Sequence, residues 1–281
     1  MIQKSYVNTN SLYLIPTPIG NLEDITMRSL NLLKEVDFIL CEDTRVTGQL
    51  LKNYNISKKL VSCHEFNEEK IKKYVIDELK NNKSIGLVTD QGTPIISDPG
   101  YVVAKYVIEQ GYNVIGLPGA NAFVPALIMS GLDPSHFLYY GFLNSKNSKQ
   151  KKELEMLKNY PFTMIFYEAP HRIENTLQNM YDIFGDRKIS LSREISKIHE
   201  EVFRGKISEV MSELKVKGEF VIVVDGCNKQ VDYRDLDVIE HIKLYLDDGL
   251  SEMEAIKIVA KERNVAKSVI YKEYIDKGKS R

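Results

Sequence analysis

Residues 84–117, SIGLVTDQGTPIISDPGYVVAKYVIEQGYNVIGL, read as a strand, a loop, a helix and a second strand. The apolar runs SIGLVT (84–89) and YNVIGL (112–117) predict the strands, and segment 101–110 predicts an amphipathic helix. A loop rich in glycine and proline follows the first strand. Because open α/β sheets bind ligands beyond the carboxyl ends of their strands, this loop is a candidate binding site.

The same alternation continues on both sides of this stretch and predicts an α/β fold with largely parallel sheets covered by helices. Further apolar runs predict strands at 11–16, 37–41, 137–142, 162–167, 188–193 and 220–224, and further helices are predicted at 67–81, 148–158 and 171–184. The segment GLDPSH (131–136) is a plausible junction. We therefore expect two α/β domains, residues 1–130 and 131–228, followed by a polar linker over 227–235.

The remaining residues, 229–281, predict a small helical tail. Ser251 and Glu254 stand in the spacing of a capping box, in which each side chain satisfies a backbone N–H of the other residue. A break at Arg263-Asn264-Val265 separates two short helices, as in a helix-turn-helix unit. A purely structural three-helix cap explains the same pattern, so both interpretations stay open.

Composition narrows the class of protein. The chain has 281 residues, of which 43% are hydrophobic and 27% charged, and these values are typical of a globular protein. No apolar run approaches the roughly 20 residues that span a bilayer, and the N-terminus makes a poor signal peptide. We expect a cytoplasmic protein whose three separated cysteines are reduced and bind no zinc.

Charge is distributed unevenly although the net charge is only −1. Residues 144–152 carry four lysines and no acid, and residues 257–281 carry eight basic and three acidic side chains. Such local basic segments suit a protein that contacts nucleic acid through a limited patch. Lysine runs are also common on solvated surfaces, which is the alternative explanation.

Polar and glycine residues cluster in four loops that follow predicted strands. We call them the first loop (16–24), the second loop (42–45), the third loop (89–100) and the fourth loop (117–122). The third loop, TDQGTPIISDPG, presents mainly backbone groups and suits a ligand such as a nucleoside or an amino acid. In the second loop, EDTR, we favour Asp43 or Thr44 as the cap of the next helix. Dinucleotide and Walker phosphate motifs are absent from the sequence.

In this order the motifs resemble the tetrapyrrole methylase superfamily, and within it the branch that methylates small-subunit ribosomal RNA. The resemblance covers nearly the whole chain and rests on PTPIGNLEDIT (16–26), CEDTR (41–45), LVTDQGTPIISDPG (87–100), LPGANA (117–122), FYEAPHRI (166–173), SREISKIHEE (192–201) and KGEFVIVV (217–224). Departures from the family pattern are small and remove no charged residue. They fall at Gln91, Asn121, Asn144, Ala169 and Ala266.

The resemblance implies two α/β domains with a cofactor cleft between them and a small C-terminal helical tail. It also implies transfer of a methyl group from S-adenosylmethionine to the 2′-oxygen of cytidine 1402 in the decoding region of 16S rRNA. The expected partners are 16S rRNA in the small ribosomal subunit and a second copy of the chain, with no membrane and no metal. A porphyrinoid methyltransferase of the same superfamily and a nonenzymatic ribosome assembly factor are the alternatives.

The predicted site residues fall into three groups. For the cofactor they are Pro18, Gly20, Asp90, Gly92, Thr93, Pro94, Asn121, Ala122 and Tyr167. For catalysis they are Arg45, Glu168, His171 and Lys197, with the identity of the base left open. For RNA binding they are Lys146, Lys149, Lys151, Lys152, Arg172 and Arg193, together with the basic tail.

Overall fold

The computed structural model describes residues 3, 10–214, 216–227, 236–247 and 249–278. The chain divides into two compact units, residues 1–227 and 228–281. Both predicted α/β domains fall in the first unit, so their separation near residue 130 stays a prediction. The predicted linker lies outside the described residues except for Cys227.

The first sheet has five parallel strands in the order β3-β2-β4-β1-β5. Its strands are β1 (Ser11–Leu14), β2 (Phe38–Cys41), β3 (Lys59–Ser62), β4 (Ile85–Leu87) and β5 (Asn113–Gly116). The inner strands β2 and β4 are buried at every residue, which explains their continuous apolar sequence. Because all five strands run the same way, the loops after them meet at one edge of the sheet.

Helices alternate with these strands, and side chains cap two of them where the loops end. The helices are α1 (Met27–Glu35), α2 (Thr44–Asn53), α3 (Glu68–Lys80), α4 (Tyr101–Glu109) and α5 (Phe123–Ser130). Thr26 accepts a hydrogen bond from the Ser29 amide at 3.0 Å. Asp43 accepts one from the Arg45 amide at 2.8 Å, which confirms Asp43 as the cap of α2.

The second sheet has the order β6-β7-β10-β8-β9. Its strands are β6 (Phe137–Phe142), β7 (Thr163–Glu168), β8 (Lys188–Arg193), β9 (Glu201–Lys206) and β10 (Phe220–Val224). Only the β6–β7 pair is parallel, and the other three pairs are antiparallel. The expectation of a largely parallel sheet is therefore wrong for this part of the chain.

The reason for this error is that both faces of the second sheet are covered. Phe220, Ile222 and Val224 pack in the core that includes α6 (Asn147–Leu157), α7 (Ile173–Phe184) and α8 (Ile207–Ser212). The alternate residues Val221 and Val223 pack in the core that includes α5. A strand that is buried on both faces has the same apolar sequence in parallel and antiparallel sheets.

The C-terminal unit contains α9 (Val238–Asp247), α10 (Glu252–Glu262) and α11 (Lys267–Gly278), which share a small apolar core. The Ser251 amide donates to the Glu254 carboxylate at 3.1 Å, as the predicted capping box requires. The buried His241 contacts Glu262 at 2.9 Å and accepts a hydrogen bond from Arg263. These contacts fit both a structural cap and a helix-turn-helix unit, so that question stays open.

Two further predictions concern the whole chain. Cys41, Cys63 and Cys227 are free thiols, and the first two are buried. Burial raises the pKa of Cys41 to about 11 and that of Cys63 to about 12, so both thiols are unreactive near neutral pH.

Among the described residues, no helix is long and apolar enough to cross a membrane.

Candidate active site

Backbone hydrogen bonds join the first loop to the third loop. Thr17 and Gly92 exchange N–H···O bonds of 2.9 and 3.0 Å, and the Thr17 hydroxyl donates to the Thr89 carbonyl at 3.1 Å. Gly92 has a φ of +87°, and a β-carbon there would lie 3.2 Å from the Ile19 side chain. This crossing of two loops therefore requires glycine at residue 92.

The third loop is also tied to the second and fourth loops. The Asp43 amide donates to the Asp90 carboxylate at 3.2 Å, and the Thr93 hydroxyl donates to the Ala120 carbonyl at 2.9 Å. In the fourth loop, the Asn121 side-chain oxygen accepts from the Val124 amide at 3.0 Å in the first turn of α5. All four loops thus form one hydrogen-bonded edge, as the sequence predicted for the carboxyl ends of the strands.

Aromatic side chains of the second sheet meet this edge. The backbone amides of Ala122 and Phe123 donate to the Tyr167 hydroxyl, and burial raises the pKa of Tyr167. The Tyr167 ring packs edge-on against Phe142, with 5.6 Å between ring centroids. Because Tyr167 occupies amides at the start of α5, it joins the second sheet to the fourth loop.

A cavity of about 480 Å³ opens between the loops and the second sheet. Its walls combine apolar side chains with a few polar groups, which is the usual character of a small-molecule site. The lining residues are Ile19, Asp90, Gln91, Gly92, Thr93, Ile96, Ser97, Asp98, Asn121, Ala122, Phe142, Tyr167, Glu168, Ala169, Pro170, Ile195, Glu219, Phe220 and Val221.

Carboxylates gather on the loop side of the cavity. The pKa of Asp98 is raised to about 6. Burial is the main cause, the Thr89 hydroxyl opposes it, and the negative charges of Glu42 and Asp90 add to it. Burial also raises the pKa of Asp90 and that of Glu42. This wall therefore holds proton acceptors that titrate closer to neutrality than ordinary carboxylates.

The cavity brings together most of the predicted cofactor residues. Those in its lining are Asp90, Gly92, Thr93, Asn121, Ala122 and Tyr167. Pro18, Gly20 and Pro94 are not in its lining, although they belong to the same loops. Gly20 instead lies under the aliphatic stem of Lys197, where a β-carbon would overlap that side chain. The binding roles of all these residues stay predictions.

The predicted catalytic residues are dispersed. Glu168 lines the cavity, but its carboxylate accepts from the Ala169 amide, the Arg172 guanidinium and the Thr176 hydroxyl. His171 is exposed and is not in the lining. The Arg45 side chain is 88% exposed and pairs with Asp43.

Lys197, the fourth of these residues, contacts Glu194 at 3.0 Å and Glu219 at 2.8 Å. These two carboxylates raise the pKa of Lys197 against the opposing effect of its partial burial. The ammonium group is therefore a fixed positive charge at the edge of the cavity, and it holds no lone pair that could accept a proton near neutral pH.

The predicted RNA-binding residues fall into two groups, which differ in how far their side chains are exposed. Lys146, Lys149, Lys151 and Lys152 are exposed at or near the start of α6. Arg172 is half-buried and donates to the carbonyls of Leu143 and Asn144 at 2.7 and 3.2 Å. Arg193 is buried and pairs with Glu201 at 2.7 Å. All four lysines are thus exposed, and Lys151 also pairs with Asp182 at 3.9 Å, whereas both arginines are more deeply placed and have protein partners.

Sequence reasoning missed several lining residues that come from the second half of the unit. They are Phe142, Ala169, Pro170, Ile195, Glu219, Phe220 and Val221. Ile195 and Glu219 lie within or beside quoted family motifs, but nothing in a single sequence shows that they face the third loop. From the third loop itself, Ile96, Ser97 and Asp98 also belong to the lining.

Comparison with known proteins places these features in context. Residues 11–211 match the family described as Tetrapyrrole (Corrin/Porphyrin) Methylases. A protein of Bacillus subtilis named Ribosomal RNA small subunit methyltransferase I is 48% identical over 94% of this chain and 93% of its own length. A Vibrio cholerae protein of the same name is 39% identical over 93% of each chain.

Solved structures share the fold at low sequence identity. The methyltransferase CobJ superposes with a TM-score of 0.59 at 14% identity, covering 78% of this chain and 95% of its own. Uroporphyrin-III C-methyltransferase from Thermus thermophilus, solved in complex with S-adenosylhomocysteine, gives a TM-score of 0.54 at 18% identity. That comparison covers 77% of this chain and 97% of the other.

Proposed function

The chain belongs to the tetrapyrrole methylase family, and we propose that it transfers the methyl group of S-adenosylmethionine to a ribose 2′-oxygen in small-subunit ribosomal RNA. The expected nucleotide is cytidine 1402 in the decoding region. The observation that carries the proposal is the cavity of about 480 Å³ between the glycine-rich loops and the second sheet. Relatives at 48% and 44% identity bear the name of such an enzyme, which supports the RNA substrate.

The cavity residues fit this methyl donor in size and chemistry. Small-molecule sites usually enclose about 300–1,000 Å³, and a nucleoside attached to an amino acid needs both apolar walls and hydrogen-bonding groups. Ile19, Ile195 and Val221 supply apolar wall, while Asp90 and Thr93 supply polar groups. We propose that the third and fourth loops hold the donor and that Gly92 keeps the crossing of the loops open.

When it is bound, S-adenosylmethionine supplies an electrophilic methyl group. The protein's task is then to hold the ribose oxygen in line with that group and to exclude water, and such positioning can lower the barrier by several kcal/mol. The hydrogen bonds among the four loops fix the loop wall of the cavity. Tyr167 ties the second sheet to this wall through the amides at the start of α5.

The basic segment at the start of α6 provides a surface for the RNA. Strand β6 ends at Phe142 in the cavity, and Arg172 holds the carbonyls of the next two residues, Leu143 and Asn144. The exposed lysines of residues 146–152 follow directly. We propose that these lysines contact RNA phosphates close to the cavity mouth, whereas Arg172 and Arg193 act within the protein.

Three further features of the proposal come from the family resemblance. We infer a homodimer, action in the cytoplasm on 16S rRNA, and a reaction that needs no metal. A porphyrinoid substrate is the second candidate, because the solved structures with this fold include a uroporphyrin-III C-methyltransferase. Its identity to this chain is only 18%, so it supports the fold and not the substrate.

Methyl transfer to purified ribosomal particles tests the proposal. Small subunits from a strain that lacks this gene are incubated with the chain and labelled S-adenosylmethionine, and the labelled nucleotide is mapped by nuclease digestion. We expect label in one 2′-O-methylcytidine of the decoding region. Cofactor binding without label in subunits or naked RNA would favour a small-molecule substrate, and absence of cofactor binding would favour a nonenzymatic assembly factor.

A further inference from the structure

We propose that Asp98 is the catalytic residue that accepts the proton released by the ribose hydroxyl during methyl transfer. This role rests on the proposed function. Asp98 lies in the cavity lining, in the third loop and directly before Pro99 and Gly100. It belongs to none of the residue roles that the sequence motifs suggested.

The reaction requires such an acceptor. The ribose oxygen forms a bond to the methyl carbon while the carbon–sulfur bond breaks, and the electron pair of that bond stays on sulfur. The hydroxyl proton must then leave the oxygen, which has become an ether oxygen. A carboxylate within reach takes up this proton and balances the charge, and positioned acid–base groups of this kind accelerate reactions by about 100-fold to 10,000-fold.

Two other carboxylates in the lining already have strong partners. Both oxygens of Glu168 are engaged, by the Ala169 amide and Arg172 on one side and by Thr176 at 2.6 Å on the other. Glu219 pairs with Lys197 at 2.8 Å. Uptake of a proton would remove the negative charge from the ion pair that each group makes with its basic partner.

The remaining ionisable candidates are poor acceptors for different reasons. Tyr167 holds its proton because burial raises its pKa and the neighbouring Tyr139 raises it further. Lys197 is already protonated between its two carboxylates. His171 is exposed and lies outside the lining. Asp90 and Asp98 are left. Asp90 accepts from the fixed backbone amide of Asp43, whereas the partner of Asp98 is the Thr89 hydroxyl, whose hydrogen can rotate away.

The backbone on both sides holds Asp98 in place. On one side, the Ser97 hydroxyl is hydrogen-bonded to the Tyr139 hydroxyl at 2.8 Å, with Ser97 in a left-handed conformation of φ +64°. On the other side, the Gly100 amide donates to the buried Glu68 carboxylate. A catalytic group needs this kind of support from fixed neighbours.

Helix capping does not explain Asp98. It stands before α4, where aspartate commonly caps a helix, but the cap residue of α4 is Gly100 and no side chain caps this helix. The groups that face Asp98 are the carboxylates of Glu42 and Asp90 and the hydroxyls of Thr89 and Tyr139. An environment of burial and like charge favours uptake of a proton by the carboxylate.

The test compares Asp98→Asn with the unsubstituted chain in single-turnover methyl transfer to small subunits across a range of pH. For the unsubstituted chain, the rate should rise as the pH passes about 6, where Asp98 loses its proton, and then level off. Asp98→Asn should be slower by about 100-fold or more and should lack this rise. Its affinity for S-adenosylhomocysteine should match that of the unsubstituted chain, which also reports that the variant is folded.

Two further variants and one measurement without turnover sharpen the result. Asp98→Glu should restore part of the rate together with the pH-dependent rise. Glu42→Gln removes a neighbouring negative charge, so it should move the pH-dependent rise of the rate to lower pH. Carbon-13 NMR of labelled aspartate carboxyls should show one resonance that titrates near pH 6 and is missing in Asp98→Asn.

Each contrary outcome has a distinct meaning. An Asp98→Asn variant that keeps the wild-type rate, or that keeps the rise near pH 6, would overturn the role of Asp98. A variant that loses S-adenosylhomocysteine binding together with turnover would make Asp98 a binding residue and would also overturn the proposal. Absence of methyl transfer by the unsubstituted chain would overturn the proposed function itself.

Discussion

Glu168 lies at the end of β7 with a fully buried side chain, and its charge is balanced at 3.1 Å by Arg172. The sequence places these two residues four positions apart in one family motif, which suggested one catalytic role and one role in RNA binding. In the structure they contact each other, and Arg172 also donates to the carbonyls of Leu143 and Asn144. Both functional roles stay predictions. A buried pair of this kind is strongly destabilised when one partner is lost.

We therefore expect Arg172→Ala to lower the free energy of unfolding by about 3 kcal/mol, because Glu168 would remain buried without its main positive partner. Urea unfolding followed by circular dichroism measures this change. Arg45→Ala is the matched control, since Arg45 also pairs with a nearby carboxylate but is 88% exposed. That control should unfold like the parent chain, and an equally stable Arg172→Ala would refute the account of this pair.

Residues of the lining differ in how far the sequence could reveal them. Asp90, Gly92 and Thr93 stand in a loop whose glycines and prolines mark a binding segment, and all three line the cavity. Pro18 and Pro94 belong to equally marked loops but do not line it, because composition does not show which way a loop residue faces. Ile195 reaches the cavity only through contacts between distant parts of the chain.

At the scale of elements, the sequence predicted the buried strands and missed two edge strands. Strands β3 and β9 lie at the outer edges of the two sheets. No residue of either strand is fully buried, so neither has the continuous apolar run that marks β2 or β10. Edge strands are partly solvated, and their sequences therefore resemble loops.

The start of helix α6 supports a prediction about RNA binding. Replacing Lys146, Lys149, Lys151 and Lys152 by Gln should weaken binding to small-subunit RNA and reduce its dependence on salt, because each lost phosphate contact lowers the slope of log K against log salt by about 0.7–0.9. Filter binding at several salt concentrations measures both effects.

The control for this prediction replaces exposed lysines on another helix of the first unit. Lys70, Lys73 and Lys80 are exposed on helix α3, and replacing them by Gln removes comparable charge outside residues 144–152. We expect little change in RNA affinity from this control. Equal salt slopes for the α6 variant and the parent chain would rule out the lysines of α6 as the RNA contact.

At the scale of the whole molecule, every residue in the cavity lining lies between Ile19 and Val221, within the first compact unit. The C-terminal unit has an apolar core of its own, formed by α9, α10 and α11. A chain that ends at Cys227 should therefore keep its affinity for S-adenosylhomocysteine, as calorimetry can measure. A large loss of affinity would mean that the C-terminal unit is needed to form the cavity.

The central claim is that the cavity beside the third loop binds the methyl donor, and titration calorimetry with S-adenosylhomocysteine tests it on the full chain. Gly92→Ala crowds Ile19 at the crossing of the loops, whereas Gly185→Ala has a similar positive φ but open space around it. We predict that the parent chain and Gly185→Ala bind alike and that Gly92→Ala binds at least about tenfold more weakly, a loss of about 1.4 kcal/mol. Equal binding by all three chains, or no binding by the parent, would contradict the account.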